Sequence, residues 1–327
     1  MPDSSYFYNQ HSITDNINNT HRANVNILYQ LDSMNSIRIN PSFSYQQANN
    51  KSRSEYQTLS DQQALTNEGF TQNHLVNEGF NFRNDIIWRK KFARKGRTFS
   101  LSLQTTLNES DGDGSLNSVN SFYKPDGSLL GRDTLNQKIS TNSDLKGYTA
   151  RAVYTEPLWK RSLLEFSAGK SDSRNTSTKI TQDYNRQNGK YDLLNNSLSN
   201  DFENNYGYIT AGARIRTQRK KYSYSFGANW QKAVLEGKVI TGLKDSVISK
   251  SFGNILPTAR FQYNFTRYKT FTFNYATSTN QPSMSQLQPV PDISNPLYIR
   301  EGNPDLKQEF NHVIQANFNT LSPFKNK

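Results

Sequence analysis

The sequence predicts an all-β protein, a transmembrane antiparallel up-and-down β-barrel with short turns on one side and long connections on the other. Three observations predict it. Apolar and polar residues alternate with period two over segments of about ten residues. The connections between these segments are by turns tight and long, and the long ones are polar. The chain of 327 residues is only 33% hydrophobic with a mean hydropathy of −0.84, yet it holds 18 Tyr and 19 Phe. Disordered chains are poor in rings, so the low hydropathy does not imply disorder.

The elements follow in order. Ala23, Val25, Ile27, Tyr29 and Leu31 alternate with Asn24, Asn26 and Gln30, then turn at Asp32–Asn35. Ile37, Ile39, Phe43 and Tyr45 return, separated by Arg38, Asn40, Ser42 and Ser44. Phe80, Phe82, Ile86 and Trp88 lead to a turn at Arg94-Lys95-Gly96, and Phe99, Leu101, Leu103 and Leu107 lead away from it. A third pair spans 148–156 and 163–170 around Pro157–Lys160, and a fourth spans 206–217 and 222–235. In the return strand of that fourth pair, Tyr222, Tyr224, Phe226, Ala228 and Trp230 alternate with Ser223, Ser225, Gly227 and Asn229. Ile255, Ala259, Phe261, Tyr263 and Phe265 precede a turn at 266–269, followed by Phe271, Phe273 and Tyr275. Residues 312–321 form a last segment and end at Ser322-Pro323-Phe324.

Eleven strands result, with long polar loops expected over 47–78, 109–143, 172–204, 237–253 and 279–303. A soluble antiparallel sandwich also alternates, but its strands are typically five or six residues long and its loops show no regular short–long rhythm. In hydrocarbon a spanning sheet satisfies its own backbone, with rings toward lipid and polar groups toward a wet interior. The membrane-facing rings are then Trp88, Phe99, Tyr222, Tyr224, Phe226, Trp230, Phe261, Phe271 and Phe273. Tyr222 and Tyr224 are expected near the headgroups. The pattern does not change along the chain, so residues 1–327 read as one β-barrel domain.

Other classes find little support. The net charge of +12 is spread over short clusters at the tight turns, such as Arg219-Lys220-Lys221, and not along one stripe, which argues against nucleic acid. Solvated turns that touch lipid phosphates are the plainer reading of those clusters. There is no Cys, hence no disulfide or cysteine-zinc site. His11, His21, His74 and His312 are scattered. Asp111-Gly112-Asp113-Gly114 lacks the carboxylate that closes a calcium loop, because position 122 is Phe. Asp183, Asp192 and Asp201 are spaced along a predicted loop without further support for an ion. No catalytic, cofactor-binding or metal-ligating set emerges, so an enzyme is not expected. The N-terminus has no basic and apolar leader pattern.

The sharpest local signal is the stretch from Ser283 to Phe318, with Gly302-Asn303-Pro304-Asp305-Leu306-Lys307-Gln308-Glu309 at its centre. Pro304 fixes its own φ and pushes Asn303 extended. Lys307 and Glu309 share a face as the chain re-enters a strand. As a loop-to-strand connector the segment needs no ligand. It resembles a stretch common in TonB-dependent outer-membrane receptors, notably the Bacteroidetes-type outer-membrane β-barrel family. Gly302, Asn303, Pro304, Leu306, Lys307 and Glu309 match, and Gln308 stands where that family usually has Pro. The resemblance implies a Gram-negative outer-membrane location and a larger barrel of about 22 strands. It also implies an N-terminal plug through which a TonB complex acts. The ligand would be a scarce solute: an iron chelate, cobalamin, a glycan or a peptide. On that reading residues 1–327 are part of the barrel, without plug and remaining strands. A structural or adhesive barrel that transports nothing, a barrel enzyme, and a soluble β-rich binding module stay open beside it.

Overall fold

The computed structural model describes residues 6–241, 246–287, 302–303 and 305–321. In chain order the strands are β1 (Tyr6–Asn24), β2 (Ile27–Gln30), β3 (Asn35–Ser60), β4 (Leu65–Lys91) and β5 (Thr98–Tyr123). β6 (Leu129–Trp159), β7 (Ser162–Asn185), β8 (Lys190–Leu194), β9 (Asn200–Gln218) and β10 (Tyr222–Thr241) follow. β11 (Ser246–Thr266), β12 (Lys269–Asn280), the one-turn helix α1 (Met284–Leu287) and β13 (Glu309–Thr320) complete the set. All thirteen strands join one antiparallel sheet. Eleven of them neighbour one another in chain order, while β2 pairs with β3 and β8 with β7. Among the described residues β1 and β13 have one neighbour each, so the sheet is open with two free edges.

Eleven strands on the main path agree with the sequence pattern, but the first differs. The alternation at 23–31 is the end of a longer strand that β1 begins. Asn24 faces Ser42 and Ile27 faces Ile39 in one unbroken register. Only Pro41 interrupts it: Val25 N donates to Pro41 O at 3.0 Å, and Pro41 has no N–H to return.

The register orders the faces. One row of cross-strand partners runs Ile37, Trp88, Leu101, Ala152, Ala168, Ala211, Trp230 and Ile255 from β3 to β11. The neighbouring row, on the other face, runs Ser36, Arg89, Ser100, Val153, Ser167, Gly212, Asn229 and Leu256. Every apolar alternation in the sequence therefore falls on the same face. The first row also climbs. It begins two residues past the start of β3 and ends eleven residues before the end of β11. A shift of about nine residues over seven strand steps, at ~3.3 Å per residue and ~4.8 Å between strands, is a tilt of about 40°. Membrane barrels tilt their strands by ~35–45°.

The strands are much longer than the expected ten residues, reaching 31 in β6. The excess lies in the stretches expected to be long loops. Residues 47–78 and 109–143 are mostly paired strand of the β3–β4 and β5–β6 hairpins. Residues 172–204 are largely β7, β8 and the start of β9, and 237–253 joins β10 to β11. Polar side chains bond across these ladders: Thr71 Oγ1 with Ser118 Oγ at 3.0 Å, Asn67 Nδ2 to Asn120 Oδ1 at 2.7 Å, Asn142 Nδ2 to Asp111 Oδ1 at 2.6 Å. Asp111–Gly114 thus lies inside β5, not in a flexible loop. The real turns are short. At Lys124–Gly127, Gly127 N donates to Lys124 O with φ of 78°, and Gly189 turns the chain with φ of 73°.

Close approach requires glycine at one wall position. A Cβ on Gly227 in β10 would stand 2.4 Å from Ala213 O and 2.7 Å from Arg214 Cα, both backbone. Gly227→Val should therefore cost about 1–3 kcal/mol, against little change for its neighbour on the same face, Ser225→Val. Urea unfolding midpoints from lipid vesicles compare the two, and equal values would count against this close packing of β9 on β10.

Candidate functional site

All nine rings singled out in the sequence lie on the apolar face, as the register places them. Tyr224 faces Phe261, which faces Phe273, and Phe271 sits one pair further toward the turn. Trp88 faces Leu101 and meets the ring of Phe99 edge-on at 5.8 Å. Tyr222, Tyr224 and Phe226 stack in sequence along β10 at 6.4 and 6.3 Å. These side chains have no covering layer: Phe226 is 58% and Trp230 46% exposed. The apolar face spans about nine residues per strand, for example Phe80–Trp88, Phe99–Leu107 and Tyr222–Trp230. That is about 27 Å along the strand, and about 20 Å in height at a 40° tilt. Rings mark both limits of this band. Trp88, Phe99, Tyr154 and Tyr222 stand at the turn end, Tyr45, Phe80, Tyr148 and Trp230 at the other. Small side chains such as Ala152, Ala168 and Ala211 fill the middle. Charge begins just past the second ring row. Tyr45 OH donates to Glu78 at 3.2 Å, and Lys170 pairs with Asp172 at 3.1 Å while lying over the Tyr148 ring.

At the same height the opposite face is polar and its cations are arginines: Arg38, Arg83, Arg89, Arg151, Arg214, Arg216 and Arg260. Two acids accompany them, with Arg83 on Asp85 at 3.1 Å and Arg214 on Glu165 at 3.2 Å. Ser, Thr, Asn, Gln and Gly make up most of the rest of that face, with Ile87, Val153 and Leu256 among them.

The described residues of the Gly302–Glu309 segment are tied to this inner face through Asn303 and Gln308. Asn303 N donates to Gln286 O at 2.7 Å, and Asn303 Oδ1 accepts from Asp305 N at 2.8 Å in an Asx turn. Gln308 Oε1 accepts from Asn254 Nδ2 of β11, a bond that the family's usual Pro cannot make. Glu309 opens β13 opposite Asn280, whose Nδ2 donates to Glu309 Oε2 at 3.2 Å, so the expected re-entry in fixed register is present. Leu306 and Lys307 are exposed. Pro304 lies outside the described residues, as does Glu301, on which the φ of Gly302 depends. The residues that anchor the segment were missed in the sequence. Ser283 and Gln286 form a capping box: Ser283 N donates to Gln286 Oε1 at 2.9 Å, and Gln286 N to Ser283 Oγ at 3.3 Å. The Ser-x-x-Gln spacing is the signal that announces it. Leu287, next in the chain, is fully buried against Leu235 and Ile248, with Phe202, Tyr206 and Phe252 around them.

A second cluster fastens the turn end. Arg97 makes two bonds to Glu156, Nε to Oε2 and Nη2 to Oε1, both 2.8 Å. Arg94 Nη1 adds one at 2.7 Å and its Nη2 donates to Pro157 O at 2.8 Å. Tyr154 OH donates to Glu156 Oε2 at 2.6 Å. The Arg97 guanidinium, seconded by the Tyr154 hydroxyl, holds the Glu156 carboxyl well below its usual range, at about 2. The β4–β5 turn is thereby tied to the end of β6.

Other candidates are engaged locally. Asp183 accepts from Gln137 at 2.7 Å and Asn195 at 2.9 Å, and Asp192 accepts from Asn185 at 3.0 Å. His312 bonds Tyr275 OH at 3.0 Å and His74 bonds Asn49 at 3.0 Å. Among the described residues no three His, Asp or Glu side chains are grouped as metal ligands.

An antiparallel sheet with one continuous ring-bordered apolar face and one arginine-bearing polar face defines a β-barrel wall of the outer-membrane class. The chain matches the outer membrane protein beta-barrel family over residues 90–327, and it belongs to that family. Its place is the outer membrane. No curated protein matches the chain. Among solved structures, it is similar to BauA, the ferric preacinetobactin receptor from Acinetobacter baumannii, at 7% identity and a TM-score of 0.39. That match covers 87% of this chain and 49% of that one. It is similar to the siderophore receptor PiuA from Acinetobacter baumannii at 9% identity, covering 85% and 50%, with a TM-score of 0.39. FpvA of P. aeruginosa, bound to a heterologous pyoverdine and iron, gives 10% identity, 85% and 42% coverage, and a TM-score of 0.40. The chain spans about half the length of these structures.

The Glu156 cluster makes a pH prediction. A carboxylate whose pKa is lowered on folding stabilises above its ordinary value of 4.5 and loses that contribution as pH falls toward about 2. The wild type should lose stability across that window. Glu156→Gln should be less stable at neutral pH and lack this part of the acid loss, as read from unfolding midpoints at pH 7, 4.5 and 3.

Proposed function

We propose that this chain forms part of the wall of a TonB-dependent outer-membrane receptor, a solute importer and not an enzyme. The observation that carries the reading is the two-faced sheet. An apolar, ring-bordered face and an arginine- and serine-bearing face share the same height in all the central strands. A wall between lipid and water demands that division, and a soluble two-layer protein would cover the apolar face with a second layer. The nine rings meet lipid, and the opposite face lines a wet lumen.

Transport rests on two further features. The hairpins continue past the apolar band by up to about 16 residues in β5, some 50 Å along the strand, which holds polar surface far out from the membrane for capture. The Gly302–Glu309 segment matches the receptor pattern and lies on the lumenal side. A scarce solute such as an iron chelate, cobalamin, a glycan or a peptide would be held by the hairpins and passed through the lumen. A plug driven by the TonB complex would gate that passage. Cells that depend on this protein to take up one of these solutes should lose that uptake when TonB is deleted. Uptake that survives the deletion would return the protein to the class of barrels that work without energy input.

The wall itself has a direct check. Leu103→Arg, on the apolar face at mid-height, should cost about 2–4 kcal/mol, whereas Gln104→Arg on the lumenal face, opposite Asp85 and Thr149, should cost under about 1 kcal/mol. Unfolding from vesicles measures both, and similar costs would invert or abolish the assigned faces.

A further inference from the structure

The turn end of the sheet holds a cleft of about 720 Å³ that none of the preceding roles uses. Three turns meet there. The β4–β5 turn folds across, so that a Cβ on Gly96 would lie 3.4 Å from Leu163 Cδ2 and 3.7 Å from Pro157 Cβ. The β6–β7 turn is tied to β9, with Gln218 N donating to Arg161 O at 2.9 Å and Ser162 Oγ bonding Thr217 Oγ1 at 2.9 Å. Lys95, Lys160, Arg161, Arg216, Arg219 and Lys220 line the cleft, and no carboxylate lines it with them. The nearest acids are committed elsewhere: Glu156 to Arg94 and Arg97, Glu165 to Arg214. Among the described residues none of the six cations has an ion-pair partner. Arg161 also holds a φ of 71°, a left-handed conformation that Gly or Asn would take more readily, so an arginine is kept there against local preference.

We propose that this cleft binds an acidic stretch of polypeptide at the turn-end mouth of the lumen. The inference rests on the reading of the polar face as the lumen and of the tight turns as its periplasmic rim. Position argues against a lipid headgroup as the occupant. Arg216, Leu163 and Pro157 project from the inner face, opposite the rings that meet lipid. Spacing argues against a single small anion. The cations are distributed over three separate turns, which suits several carboxylates spread along a chain. Trp159, 57% exposed at the rim, offers a flat apolar surface on which an extended peptide can rest. Six unpaired cations at one mouth also favour fast, salt-sensitive capture of a negatively charged segment.

The test uses the intact protein extracted in detergent and a fluorescein-labelled ten-residue peptide of alternating Glu and Ser, read by anisotropy. Binding is expected at low salt and should weaken as salt rises. The pairs Lys160→Glu with Arg161→Glu, and Arg219→Glu with Lys220→Glu, should each weaken it by about tenfold or more. Lys138→Glu with Lys190→Glu, at the far end of the hairpins, should leave it unchanged. No binding, equal loss in the far-end control, or full displacement by millimolar inorganic phosphate or by phosphatidylglycerol vesicles would overturn the proposal. A separate arm tests the reading beneath it. Residues 1–327 hold no Cys, so Gln218→Cys adds one label site, and the parent protein without it gives the background labelling. A membrane-impermeant maleimide should reach it in cells only after the outer membrane is opened. Labelling of intact cells would overturn the orientation. Labelling only after opening, without peptide binding, would overturn the acidic-segment site alone.

Discussion

Backbone satisfaction within the sheet is the constraint from which the other features follow. A strand that crosses hydrocarbon has no water to bond, so each N–H and C=O needs a neighbouring strand. The ladders here run in chain order with few register shifts across the central strands, and the proline at position 41 of β3 shows how that condition acts. Pro41 turns its missing donor toward Val25 on the outermost strand, where only one return bond is lost, while its pairing with Asn84 of β4 continues. Once the register is fixed, each side chain's face is fixed with it, because a slip of one residue would carry every ring to the wet side. The 40° tilt follows from the same ladders and sets how many residues span the apolar band.

The two faces treat positive charge differently. On the polar face at the height of the apolar band the cations are arginines, set among mostly small polar side chains, and among the described residues two of them hold the acids of that stretch. Lysines gather where strands leave the band, as Lys170 does beside Tyr148 and Asp172. A planar guanidinium lies flat along a polar wall and gives several donors to fixed partners, whereas an ammonium on a long stem reaches toward water at a boundary. Rings at both limits of the band do the complementary job, with an apolar body inside and, for Tyr and Trp, a polar edge outside.

Much of this was legible in the sequence, and the part that was not has a physical reason. Alternation betrays a strand only where its two faces meet different surroundings. Along Phe99–Leu107 one face meets apolar surroundings and the other is wet, and the strand reads plainly. Along Ser110–Tyr123 both faces are polar, so the same ladder continues with nothing to announce it. The turn chemistry did announce it, since Lys124-Pro125-Asp126-Gly127 and Asn188-Gly189 are turn sequences set inside stretches read as loops. The family-like segment was recognised by its residues, but its anchor was not. Ser283 and Gln286 are ordinary polar residues until their spacing of three is read as a cap.

The position of that anchor bears on how the wall is built. Apolar groups elsewhere in the sheet lie open on the ring-bearing face, and the buried cluster of Leu235, Ile248 and Leu287 lies instead on the polar side, beyond the band. A sheet whose outer face is dissolved in lipid gains little from burying more apolar area there, because lipid is as apolar as a neighbouring side chain. Burial from water is available only where water is, on the lumenal side and outside the membrane. The β12–β13 connection uses that possibility. It turns inward, caps a single helical turn, and places Leu287 against β10 and β11. Asn303 then binds Gln286 and Gln308 binds Asn254, so the connection is held at three points before β13 re-enters opposite Asn280. The motif is therefore best understood as the fixture that ties the described ends of the connection, residues 281–287, 302–303 and 305–308, to the inner wall while delivering the next strand in register.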